Sequence, residues 1–92
     1  METVTIRLTT PLRKFAGGRH EVQVPARSVG EALQQLVALY PDLHGRVVDA
    51  DGSLREFVQV HVGRTPLRLL NGLPSALKSG DVVSLSSPFS GG

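Results

Sequence analysis

Between Ser28 and Tyr40 the chain carries one apolar stripe of helical period, and the other regular segments alternate as strands do. Val29, Leu33, Leu36, Val37 and Tyr40 recur at three and four residues, which places them on one face of a helix. Ser28 and Glu31 form a Ser-x-x-Glu box, in which each side chain can accept from the other's free backbone N–H and start the helix. Pro41 disfavours helical geometry at the residue before it, so the helix is expected to end near Tyr40. A single amphipathic helix limits what its strands can build. One helix can cover only one face of a sheet, so an α/β sheet covered on both sides is ruled out.

The strands are read from period-2 alternation. Val4, Ile6 and Leu8 alternate with Thr3, Thr5, Arg7 and Thr9; Pro11 ends clean pairing and Gly17-Gly18 supplies a turn. Alternation resumes at Val22 and Val24 up to Pro25, which predicts a hairpin. Phe57 to Val62 has three valines on one face and good β-propensity. Leu67–Leu69 reads as a short strand after Gly63 and Pro66, Pro74 to Leu77 as one helical turn, and Val82, Val83 and Leu85 as a final strand. From Asp42 to Glu56 only a turn at Asp51-Gly52 stands out, with Leu43, Val47 and Val48 expected to seal the bottom of the core. The predicted order is β-β-α-β-β-β with an irregular connection after the helix. The economical packing is α+β: a mixed sheet of four to five strands on one main helix, with the first and last strands side by side. That is the β-grasp, or ubiquitin-like, architecture. Residues 1–87 form the domain and 88–92 a flexible tail.

Composition narrows the function. At 92 residues there is room for one domain, which buries roughly 65% of its unfolded surface. There are no cysteines, so disulfides, thiolate metal sites and cysteine nucleophiles are excluded. The charges are scattered singly with no basic run interleaved with aromatics, which argues against a nucleic-acid partner despite a pI near 9.7. The first residues alternate rather than forming the apolar core of a signal peptide. No segment has the length of a membrane span, so a cytoplasmic location is expected.

The sequence closes on Gly91-Gly92. Glycine has no side chain and sweeps the most backbone space, so a narrow active site can admit both residues and touch the α-carboxylate. The plain alternative is a frayed terminus. His20, His44 and His61 are widely separated, and His61 alternates onto the strand face opposite the valines. Surface or partly buried histidines account for them better than a metal or catalytic site. Asp49 and Asp51 lack the further oxygen ligands and closing Glu of a calcium loop. Gly17-Gly18 lacks the following helix of a phosphate cradle. Arg55, Arg64 and Arg68 could steer the chain to an acidic partner, with ordinary solvated side chains as the simpler account. No triad, paired-carboxylate cleft or cofactor motif is present.

These segments together resemble the sulfur-carrier branch of the ubiquitin-like superfamily, the MoaD/ThiS family. The resemblance is carried by Ser28-Val29-Gly30-Glu31-Ala32-Leu33, by Leu54-Arg55-Glu56-Phe57-Val58-Gln59-Val60-His61-Val62, by Leu77-Lys78-Ser79-Gly80-Asp81-Val82-Val83, and by Pro88-Phe89-Ser90-Gly91-Gly92. The chain departs from the family's habit at Gln59 and Gly63-Arg64, where Asn is frequent, and at Phe89-Ser90. The resemblance implies a protein that is not itself an enzyme and binds no cofactor. An adenylyltransferase similar to ubiquitin-activating enzymes would use ATP to join the Gly92 carboxylate to AMP. A sulfurtransferase or sulfide source would then convert it to a thiocarboxylate.

On this view Gly91, Ser90, Phe89 and Pro88 are the tail that the partner recognises, and Gln59, His61 and Arg64 belong to the docking surface. No metal is involved. The acceptor would be an enzyme such as a molybdopterin synthase large subunit or a cysteine synthase. The form of the 42–56 connection points to those two more than to the thiazole of thiamine, which stays open together with a thiolated tRNA base. Two alternatives stay open: a protein modifier joined through Gly92 to lysine, and a β-grasp interaction module that never uses its terminus.

Overall fold

The computed structural model describes residues 2–49, 53–55 and 58–86. In order it has strand β1 (Thr3–Leu8), helix α1 (Thr10–Arg13), strand β2 (Glu21–Pro25), helix α2 (Val29–Leu39), then strands β3 (Gln59–Val62), β4 (Thr65–Pro66) and β5 (Val82–Ser86). The five strands form one mixed sheet in the order β2-β1-β5-β3-β4. β1 and β5 run parallel, and the β1–β2, β3–β5 and β3–β4 pairs are antiparallel. This is the β-grasp.

Helix α2 follows the sequence closely. Ser28 is extended and its Oγ accepts from the Glu31 N–H at 3.2 Å. The return bond differs from the box expected: Glu31 Oε1 accepts from the Arg27 N–H at 2.7 Å. The glutamate thus serves the residue before the cap, where the Arg27 carbonyl and the Val29 N–H bridge to Leu77 and Ser75. The buried stripe is Val29, Ala32, Leu33 and Leu36, with Val37 and Tyr40 partly buried against the core. It faces Val4, Ile6 and Leu8 of β1, Val22 and Val24 of β2, and Val83 and Leu85 of β5, all buried. Leu43 and Val47 are fully buried and Val48 nearly so, closing the core as expected.

Three local expectations are corrected. The loop joining β1 to β2 is not bare. Pro11 is the second residue of α1, within the first turn where its missing N–H costs no helical bond, and a 3-10 turn follows at Lys14–Ala16. Gly17 at φ 65° and Gly18 at φ 83° then reverse the chain, a conformation open to glycine at no steric cost.

Leu67–Leu69 is a 3-10 turn, not a strand. Pro66 gives the ladder no N–H, and the Leu67 carbonyl accepts from the Leu70 N–H at 2.9 Å. Pro74 to Leu77 is not a helical turn. Its backbone bonds outward: Val29 N–H donates to the Ser75 carbonyl at 3.0 Å and Leu77 N–H to the Arg27 carbonyl at 2.8 Å, tying this segment to the start of α2. The Asp51-Gly52 turn, Glu56, Phe57 and the boundary after residue 87 lie outside the described residues.

Candidate functional site

Pro88, Phe89, Ser90, Gly91 and Gly92 lie outside the described residues, so the site is built from the platform that carries them. β5 is the middle strand of five, with β1 on one side and β3 on the other. Its last residues are held on both sides. Leu85 pairs with Leu8 and with Val60, and Ser86 lies opposite Gln59. The Thr9 N–H donates to the Leu85 carbonyl at 3.3 Å. Val83 and Leu85, both fully buried, anchor the strand under α2. The chain beyond Ser86 therefore leaves from a fixed base.

The sheet face away from α2 is polar. Across one register row stand Glu21, Arg7, Ser84, His61 and Pro66. Arg7 pairs with Glu21 at 3.4 Å, both well exposed. In the next row Gln59, exposed, lies opposite Ser86. The candidate docking residues are therefore not one cluster. Gln59 sits at the base of the tail, and half-buried His61 lies two residues further along β3. Arg64 is in the turn between β3 and β4, beyond the far end of a strand roughly 10 Å long. Arg68 lines a different feature, a groove of about 640 Å³ between β3 and the 67–72 segment, whose walls include Leu54, Val58, Val60 and Leu67. Arg55 is held by Asp49 at 3.1 Å.

His20, exposed in the hairpin loop, and His44, exposed after the 3-10 turn at Pro41–Leu43, lie on separate segments. Among the described residues no group of three or more His, Cys, Asp or Glu side chains is placed to hold a metal ion. No helix among them is long and apolar enough to cross a membrane.

One cluster escaped the sequence reading. Lys14 Nζ stands 5.2 Å from the centroid of the Phe15 ring and Arg46 Cζ 3.9 Å from it. The adjacent Arg13 donates from Nε to the Leu8 carbonyl at 3.0 Å. Lys14-Phe15 was visible as a dipeptide, but nothing local places Arg46 on the same ring. One carboxylate is clearly perturbed. Glu2 accepts from Ser79, which holds its carboxyl below the ordinary value of 4.5; it lies at the opposite end of the sheet from Ser86, because Thr3 pairs with Pro25 at the start of β1.

The pattern of the ThiS family matches residues 6–92. The sulfur carrier protein CysO of Mycobacterium tuberculosis is 31% identical over 91 residues, covering 97% of this chain and 98% of that protein. Among solved structures, the small archaeal modifier protein 1 of Methanosarcina acetivorans superposes with a TM-score of 0.89 at 26% identity, covering 100% of this chain and 98% of that one. A chain of the Amycolatopsis orientalis BexX/CysO complex gives a TM-score of 0.85 at 27% identity, covering 97% and 99%.

Proposed function

The chain belongs to the ThiS family of ubiquitin-like sulfur carriers, proteins that act as substrates of other enzymes and are not catalysts, and from that premise we propose that its working group is the carboxylate of Gly92. The observation that carries this is the extent of the family match, which runs through residue 92 and so includes Gly91-Gly92. The fixed base at Ser86 supports it: a tail presented from a central strand enters a partner's channel without the domain having to rearrange.

A carboxylate is a poor electrophile because oxide is a poor leaving group. Its oxygen attacks the α-phosphorus of ATP on an activating enzyme resembling ubiquitin-activating enzymes, and pyrophosphate departs. Sulfide then adds to the carbonyl of the acyl-adenylate and AMP leaves, giving the thiocarboxylate. Where the sulfur arrives as a persulfide, a second thiol must cleave the S–S bond. Gly91 keeps the approach slim. Pro88 restricts the chain through its fixed φ, which lowers the entropy lost on capture. Phe89 supplies an apolar anchor, and Ser90 stands between it and the glycines. Gln59 and His61, beside β5, contact the enzyme that takes the tail, and Arg64 reaches it at the far end of β3.

The product donates sulfur in cytoplasmic biosynthesis of cysteine or molybdopterin. The likeness to CysO supports the cysteine branch. The structure of CysO with BexX supports an acceptor enzyme that receives the tail directly. A second reading, conjugation of Gly92 to lysine, is favoured by the superposition on an archaeal modifier protein.

The test is the intact mass of the protein from its native host. A fraction heavier by one oxygen-to-sulfur exchange, mapped to the C-terminal peptide, is expected, and Gly92→Ala should slow adenylation while leaving the fold intact. Isopeptide-linked adducts in cell extract would instead identify the modifier. A mass unchanged after incubation with ATP, sulfide and the host's activating enzymes refutes both and leaves an interaction module.

A further inference from the structure

We propose that the end of the sheet from which the tail departs carries a basic collar, made by Arg13, Lys14 and Arg19, that docks on an acidic protein surface bordering the channel that receives the tail. This rests on the carrier function above and names the chemistry of its partner.

The geometry begins at β5. Leu85 pairs with Leu8, and the Leu8 carbonyl accepts the Arg13 Nε, so that guanidinium sits one strand away from the end of β5. The Gly18 N–H donates to the Arg13 carbonyl at 2.8 Å and the Arg19 N–H to the Ala16 carbonyl at 3.1 Å. The Leu8 N–H donates to the His20 carbonyl at 2.9 Å, which brings the loop carrying Arg19 back to the same end. Lys14 is held there by the Phe15 ring, which also carries Arg46. An aromatic face offsets part of the cost of holding two cations close together.

Among the described residues two carboxylates are paired with other cations. Glu21 pairs with Arg7 and Asp49 with Arg55, and Asp42 is exposed in the turn at Pro41–Leu43, which packs against Lys14–Ala16. Neither ion pair among the described residues uses Arg13, Lys14 or Arg19. The opposite end is different. There Glu2 accepts from Ser79, Asp81 from the Lys78 N–H and Glu31 from the Arg27 N–H, with Lys78 and Arg27 nearby in the chain, so both signs are present. The tail end instead carries Arg13, Lys14 and Arg19 in one loop, while Arg64 adds a cation to the opposite end.

Reach makes this charge relevant to docking. Gly92 lies six residues beyond Ser86, and fully extended that stretch spans at most ~20 Å. A partner that grips the Gly92 carboxylate in a channel must therefore bring the channel mouth to the collar. Charges are screened over about 8 Å at physiological salt, so the collar acts on the mouth itself, speeding encounter and fixing orientation.

The experiment uses the full-length chain and the adenylating enzyme encoded by the same genome. Binding and ATP–pyrophosphate exchange are measured separately across a sodium chloride series. The variants are Lys14→Glu combined with Arg19→Glu, and Lys78→Glu at the opposite end as a control, each checked by thermal denaturation. The double variant is expected to raise Kd and KM on the order of 10- to 100-fold, with kcat kept and the salt dependence flattened, while Lys78→Glu matches the wild type.

A double variant that binds and exchanges like the wild type overturns the collar and leaves the carrier function standing. So does a loss confined to kcat. Salt-dependent binding without exchange, abolished in the double variant, keeps the collar and refutes activation of Gly92. A wild-type chain that neither binds nor exchanges refutes both. Tighter retention on a DNA oligonucleotide than on the enzyme overturns a protein partner.

Discussion

Leu36→Ala tests the core that holds the tail's platform. Leu36 is fully buried in the middle of α2. The three carbons lost from the side chain are worth ~0.8 kcal/mol each when buried, or ~2.4 kcal/mol. Incomplete collapse around the space adds a cavity term and brings the expected loss to ~2–5 kcal/mol. For a domain of this size each kcal/mol lowers Tm by about 4–8 °C, so a loss of ~3 kcal/mol predicts a fall of roughly 12–24 °C.

Leu39→Ala makes the same chemical change on the same helix, but Leu39 is 57% exposed and should stay within about 0.5 kcal/mol of wild type. Urea and thermal unfolding of the two variants, followed by far-UV circular dichroism, supply the comparison. If the two differ by less than about 1 kcal/mol, α2 does not present its stripe to the sheet as described, and the fixed base at Ser86 loses its support. At temperatures where the Leu36→Ala protein is folded, Gly92 should be adenylated at the wild-type rate, because the substitution leaves the face around β5 untouched.

Two further outcomes follow from hydrogen bonds. Ser28→Ala removes the acceptor of the Glu31 N–H and should cost ~1 kcal/mol in urea unfolding; an unchanged midpoint would show that the cap contributes nothing here. Glu2 has a folded pKa below its ordinary value of 4.5, because the Ser79 side chain and N–H both stabilise the charged carboxylate. Its contribution is therefore present above the unfolded pKa and is lost as pH falls through the folded one. In a pH series below about 4.5 the wild type should lose more stability than Glu2→Gln, and parallel acid limbs for the two proteins would refute the linkage.

The sequence by itself determined what is local. The period of Val29, Leu33 and Leu36, the Ser28 cap, the alternation of β1 and β2 and the valines of β3 are short-range properties of backbone and side chain. Each appears in the structure within a residue or two of where it was read.

Local pattern failed where distant partners outbid it. Ser75 and Leu77 gave their backbone bonds to the start of α2, and Pro66 cut short a strand that Leu67–Leu69 appeared to continue. The packing argument already set the first and last strands side by side; only the tertiary structure decided the register of β5 against β1 and β3, because register depends on how the chain returns beneath α2. It also decided which charges meet. Arg46 reached the Phe15 ring and Arg19 returned to the end of β1 through chain reversals, and spacing along a sequence carries no record of distance in space.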